Sequence, residues 1–150
     1  MNRRLIGAML AVALYAPAAG LAQENPFGAP KTNSKPNTGV IVFFRQKKYL
    51  GGGIAYKVRE GDVEIGKLSN GSYFTVRARA GRHEYNVHAE ARDVITIEVE
   101  PGETYFVSFG IGVGVVTGRP NLSPSDKKTF IKLKDDLKDM TGQGIRRGEN

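Results

Sequence analysis

The stretch 62–89 reads DVEIGKLSNGSYFTVRARAGRHEYNVHA, and two turn signals divide it into three short β-strands. Asn70-Gly71 is the strongest short-range hairpin signal, because a type I′ turn needs positive φ at both central residues. With those two at the turn, Ser69 pairs with Ser72, Ile65 with Val76 and Val63 with Ala78. Ala80-Gly81 supplies a second turn, since glycine adopts positive φ freely. It sets Arg77 opposite Glu84, Val76 opposite Tyr85 and Phe74 opposite Val87.

Side chains alternate between the faces of a strand, so the two registers check each other. One face collects Val63, Ile65, Phe74, Val76, Ala78, Tyr85 and Val87; the other collects Glu64, Thr75, Arg77, Arg79, Arg82, Glu84, Asn86 and His88. The expectation is therefore a double hairpin with one apolar and one polar face. Leu68 falls out of phase with Ile65, which either a bulge near Gly66 or a second, smaller apolar contact explains.

On either side, the chain continues in the same pattern. Residues 40–44 (VIVFF) are continuously apolar, as in a strand buried on both faces. A second strand is expected over 54–58. Residues 93–100 alternate with Ile95, Ile97 and Val99 inward, and residues 104–111 with Tyr105, Val107, Phe109 and Ile111 inward. Residues 112–117 are apolar and glycine-rich and are expected to be a further strand or a bulged continuation. Ser123-Pro124-Ser125-Asp126 has the form of a helix start, with Ser123 as N-cap. Phe130, Leu133, Leu137 and Met140 then recur at helical spacing, with Gly142 as the stop. Roughly seven to eight strands with frequent turns predict an all-β fold: a single antiparallel β-sandwich, Ig-like or PEGA-like, with one C-terminal α-helix.

The 150 residues allow one domain. Residues 1–22 have the form of a secretory signal peptide: Arg3-Arg4, an apolar run over 5–14, Pro17, and small residues at Gly20 and Ala22. Residues 23–38, rich in Pro and Asn, are expected to be a disordered linker, 39–141 the folded domain and 142–150 a frayed tail. The expected location is the periplasm or the exterior, with no transmembrane span after cleavage near Ala22; the alternative for residues 1–22 is an uncleaved membrane anchor. Loss of Arg3 and Arg4 takes the 22 basic residues to 20 against 15 acidic ones, a net +5. Cysteine is absent, which excludes disulfides, a thiol nucleophile, cysteine-based metal sites and a lipid-bearing N-terminal Cys.

No local motif specifies catalysis. Gly110-Ile111-Gly112-Val113-Gly114 is followed by strand-favouring residues rather than a helix start, so it is not read as a phosphate loop. His83 and His88 are five apart on one strand and point to opposite faces, which suits a hydrogen-bonded rim His83 and a solvated His88 rather than a shared metal. No catalytic, cofactor-binding or metal-binding residue is assigned, and no cofactor is expected. Arg77, Arg79 and Arg82 cluster on the polar face at the second turn and are the candidate contact for an anionic ligand. Nucleic acid is not expected, because few aromatic residues interleave with the basic ones.

Gly66 to Phe74 (GKLSNGSYF), Ala80-Gly81-Arg82-His83, the turn and strand from Glu100 through Pro101-Gly102 to Phe106, and Gly118-Arg119-Pro120 together resemble the bacterial domain of unknown function 2846 family. The chain is also distantly similar to PEGA-type surface modules. The resemblance covers about residues 38–137 and implies a small envelope-associated β-sandwich without catalytic residues to carry over. The functional expectation is an exported, non-catalytic module mediating interactions with an envelope protein or polymer. The alternatives are a binding module for an anionic envelope glycan or lipid, and an enzyme whose site is assembled from distant loops.

Overall fold

Among the described residues the strongest β-formers do become strands, but the tight turns connect sheets rather than neighbours within one sheet. The computed structural model describes residues 37–49 and 52–143; the expected signal peptide (residues 1–22) and most of the expected linker and tail lie outside them. The elements are β1 (Thr38–Arg45), β2 (Tyr56–Glu60), β3 (Val63–Leu68), β4 (Ser72–Arg79), β5 (Gly81–His88), β6 (Arg92–Val99), β7 (Thr104–Gly112), β8 (Arg119–Ser125), α1 (Lys127–Lys134) and β9 (Lys138–Asp139). One sheet has the order β8-β7-β1-β4-β9 and the other β3-β2-β5-β6. The described chain is thus mostly β, sandwich-like, with one short helix near its C-terminal end.

This topology corrects the double hairpin. β3 pairs with β2, and β4 pairs with β1. β5 pairs with β2 and β6. Neither β3 and β4 nor β4 and β5 share a ladder, so each tight turn carries the chain across the sandwich. Gly71 and Gly81 do take positive φ, at 63° and 130°, as the turns require. The predicted inward side chains survive because period two fixes which side of a strand is apolar, not which strand lies beside it. In a hairpin those faces would point the same way and need a further layer. With the chain crossing over, they face and bury each other.

Phe43, Phe74 and Tyr85 form the centre of that layer. Phe43 stacks on Phe74 at 5.2 Å and meets Tyr85 edge-on at 5.2 Å. Val58, Leu68, Val87, Ile97, Val99, Val107 and Phe109 fill the same core. Val63, placed on the apolar face from sequence, is instead 67% exposed. Of the two explanations open for Leu68, the bulge is the one present: Val58 pairs with Gly66 and Arg59 with Glu64, leaving Ile65 between them and turning Leu68 inward. Arg77 lies opposite Val40 rather than Glu84, whose carboxylate is 3.8 Å from Arg92. His88 pairs in register with Arg92.

The apolar run of β1 is buried on both faces, as its composition predicts. Ile41 and Phe43 enter the sandwich, while Val42 and Phe44 point to the opposite side and pack with Phe130 and Leu137. Two pairings are parallel, β1 with β7 and β4 with β9, so the sandwich is mixed rather than wholly antiparallel. β9 brings the described strands to nine, against seven to eight expected.

The helix begins later than its sequence signal. Pro120, Leu122 and Pro124 lie in β8, an edge strand where proline removes no ladder bond on its free side. Asp126 is the N-cap, accepting from the Thr129 backbone N–H at 2.8 Å and the Thr129 hydroxyl at 2.9 Å. α1 ends at Lys134, so Leu137 and Met140 are not on it. The chain there extends into β9, whose Lys138 N–H donates to Gly71 O at 2.9 Å. Residues 113–118 are a loop, not the strand expected.

Candidate functional site: a basic concavity beside a braced loop

β2 and β3 place Lys57 and Lys67 directly opposite each other. Both alternate outward from Tyr56, Val58, Gly66 and Leu68, all buried. Like charges in that position repel, and a core-facing requirement on their neighbours keeps them there. Arg59 follows two residues along β2, and His88 closes the row from β5. Lys57, Arg59, Lys67 and His88 line a concavity of about 220 Å³ with Ile54, Ala55, Tyr56, Ala89 and Thr117. Glu64 is within 2.8 Å of Lys57 and balances one charge. Among the described residues no ion-pair partner meets Arg59 or Lys67.

Ile54 and Thr117 also line a second pocket, of about 440 Å³, bounded by Arg45, Lys48, Phe109 and the loop that follows β7. Arg45 is 3% exposed. Its guanidinium donates to Ile54 O at 2.6 Å and to Leu68 O at 3.4 Å, and it lies over the rings of Tyr56 and Phe109 at 5.2 and 5.8 Å. Burial pulls its pKa below the usual guanidinium value. Arg45 therefore seals this end of the sandwich.

The loop itself is built on Glu90. One carboxylate accepts from four successive backbone N–H groups: Val115 at 2.7 Å, Val116, Thr117 at 2.5 Å and Gly118 at 3.2 Å. Those bonds, led by the one from Val116, hold the acid down at a pKa of about 2. The Tyr56 hydroxyl donates to Thr117 O. Gly114 has to be glycine, since a Cβ there would stand 2.4 Å from the Gly118 Cα and 2.5 Å from the Glu90 Oε2. The glycine spacing noticed in the sequence thus serves a close passage of backbone past a carboxylate. Val113, Val115 and Val116 are left exposed on the outside of the loop.

The arginines singled out from sequence are all exposed, but they do not share a sheet. Arg77 and Arg79 lie on β4, while Arg82 is on β5 opposite Glu98. The basic row Lys57, Arg59, Lys67 and His88 was missed. Its signal was the bulge at Ile65, which sets Lys57 against Lys67. His83 is the hydrogen-bonded rim residue expected: its Nδ1 is 2.5 Å from Glu60 Oε1 and its Nε2 2.8 Å from Arg79 O.

A further cleft, of about 680 Å³ between β6, β7 and the start of α1, includes Glu98, Glu103, Asp126 and Lys127. Asp126 is occupied as the helix cap. Among the described residues no three His, Asp or Glu side chains gather as a metal site, and no helix is long and apolar enough to cross a membrane. No protein-family model matches the chain, and no curated protein or solved structure matches it at a significant level.

Proposed function

We propose that this chain is an exported, non-catalytic binding module of the bacterial envelope that holds an anionic group in the concavity of Lys57, Arg59, Lys67 and His88. The observation that carries this reading is the Lys57–Lys67 pair. Two ammonium groups held opposite each other by a buried ladder are relieved by a phosphate, sulfate or carboxylate placed between them, with Arg59 able to bind the same oxygens as a fork. The signal-like residues 1–22 support export. An Ig-like or PEGA-like form and membership of the domain of unknown function 2846 family belong to the same reading, supported by two facing sheets and the quoted turn residues.

Retention on immobilised dextran sulfate tests it. Replacing Arg59 and Lys67 by Ser should lower the salt needed for elution, because fewer phosphate-like contacts mean a weaker salt-dependent attraction. Replacing Arg77, Arg79 and Arg82 by Ser should lower it less. Equal elution of the Arg59/Lys67 variant and the unsubstituted protein would overturn the reading. Hydrolytic turnover by the pure protein, lost on one polar substitution, would replace it with the distant-loop enzyme.

A further inference from the structure

We propose that the anionic partner is the surface of a phospholipid bilayer, and that the loop carrying Val113, Val115 and Val116 enters it beside the basic concavity. This inference rests on the reading just given and names its ligand.

The three valines are 96%, 95% and 82% exposed. Their loop projects between Gly112 and Gly118 and shares the walls of both pockets through Thr117. Lys48 lines one of those pockets and Lys57, Arg59 and Lys67 the other. Tyr49, next to Lys48, is fully exposed. An apolar loop with cations lining the pockets beside it fits the layered chemistry of a membrane interface, where acyl chains lie beneath a sheet of phosphates. A protein partner of ordinary size takes roughly 800 Å² from each side, far more than three valines on one loop offer.

Glu90 removes the two obstacles to insertion. Its four backbone hydrogen bonds hold the loop in one shape, so less ordering is needed on binding. They also satisfy the N–H groups that an apolar surrounding would otherwise leave bare. The carboxylate that contacts the valine backbone is thereby engaged by the loop's own N–H groups.

The test uses the mature chain and sedimentation with vesicles. Vesicles of phosphatidylglycerol and phosphatidylethanolamine should carry the protein down; vesicles of phosphatidylcholine alone should not. Val115→Ser with Val116→Ser should lower vesicle affinity by about tenfold for each valine replaced. The same variant should keep its retention on dextran sulfate and its melting temperature, since both side chains are exposed. The chain has no tryptophan, so Val115→Trp supplies a single reporter whose emission should move to shorter wavelength on the anionic vesicles. Vesicle binding unchanged by the double serine variant, or an unshifted Trp in bound protein, would overturn the inference, while dextran sulfate retention that still needs Arg59 and Lys67 would leave the proposed function standing. Loss of binding to both vesicles and dextran sulfate in the double serine variant would also overturn it, since the valines would then act on the polyanion site itself.

Discussion

Gly66 of β3 lies against the ring of Phe74 in β4, across the sandwich rather than beside it in a sheet. A Cβ on Gly66 would stand 2.4 to 2.6 Å from three atoms of that ring. Phe74 cannot give way easily, because it is 1% exposed and stacked on Phe43. Gly66→Ala is therefore expected to destabilise the domain by about 1–3 kcal/mol, the cost of overpacking a close-packed core. Urea unfolding at equilibrium measures it, and an unchanged midpoint would contradict the facing arrangement of β3 and β4.

Lys67 opposes Lys57 while Lys57 already has Glu64. Removing the repelling partner should help the fold and harm binding. Lys67→Thr is expected to stabilise by about 0.2–1 kcal/mol at low salt, with the gain shrinking as salt rises. Retention on dextran sulfate should fall in the same variant. Opposite signs for stability and binding are the signature of a site, whereas a purely solvated lysine would move neither.

Glu90 is an exposed carboxylate whose proton affinity is lowered by the backbone N–H groups it accepts from. Its folded pKa of about 2 lies below the ordinary 4.5. A depressed acid stabilises above its unfolded pKa and loses that contribution as pH falls from 4.5 through the folded value. The amide proton shifts of residues 115–118 should accordingly titrate together at about pH 2. In Glu90→Gln that titration should vanish and exchange of those amides should quicken. Independent titration of the four would mean that the carboxylate does not bind them jointly.

His83 works in the other direction. Glu60 first, and then the Arg79 carbonyl, favour its protonated form and raise its pKa above 6.5, although partial burial opposes them. With both ring nitrogens facing acceptors, the imidazolium donates twice. Its stabilisation is fully present below pH 6.5 and is lost as pH rises through the folded value. Thermal unfolding across that range should show the decline, and His83→Gln should flatten it.

Phe130 joins α1 to the outer side of β1. Its ring meets those of Phe44, Tyr73 and Phe106 at 5.5, 5.2 and 5.5 Å. Phe130→Ala should cost about 3–5 kcal/mol and expose the helix first. Hydrogen exchange should then quicken over α1 and β9 before it does in β5 or β6.

How much of this was legible follows from what each signal measures. The inward positions of Phe74, Tyr85, Ile97 and Phe109 were readable because alternation is a property of one strand by itself. The burial of β1 on both faces was readable from an unbroken apolar run. The helix start was misplaced because Ser123-Pro124 satisfies a cap and an edge strand equally well. The site was less legible still. Arg77, Arg79 and Arg82 are close in sequence yet divided between sheets, whereas Lys57, Arg59, Lys67 and His88 come from three strands that only the ladders bring together.

The amino-acid order alone determined the strand-rich character, the two positive-φ turns and the oily side of almost every strand, since each depends on residues a few positions apart. Three dimensions decided which strands became neighbours, and with that the sandwich crossing, the opposed lysines and the Glu90-bound loop. Those outcomes depend on competition among distant edges for the same hydrogen bonds and the same buried surface, and a local pattern carries no record of who wins it.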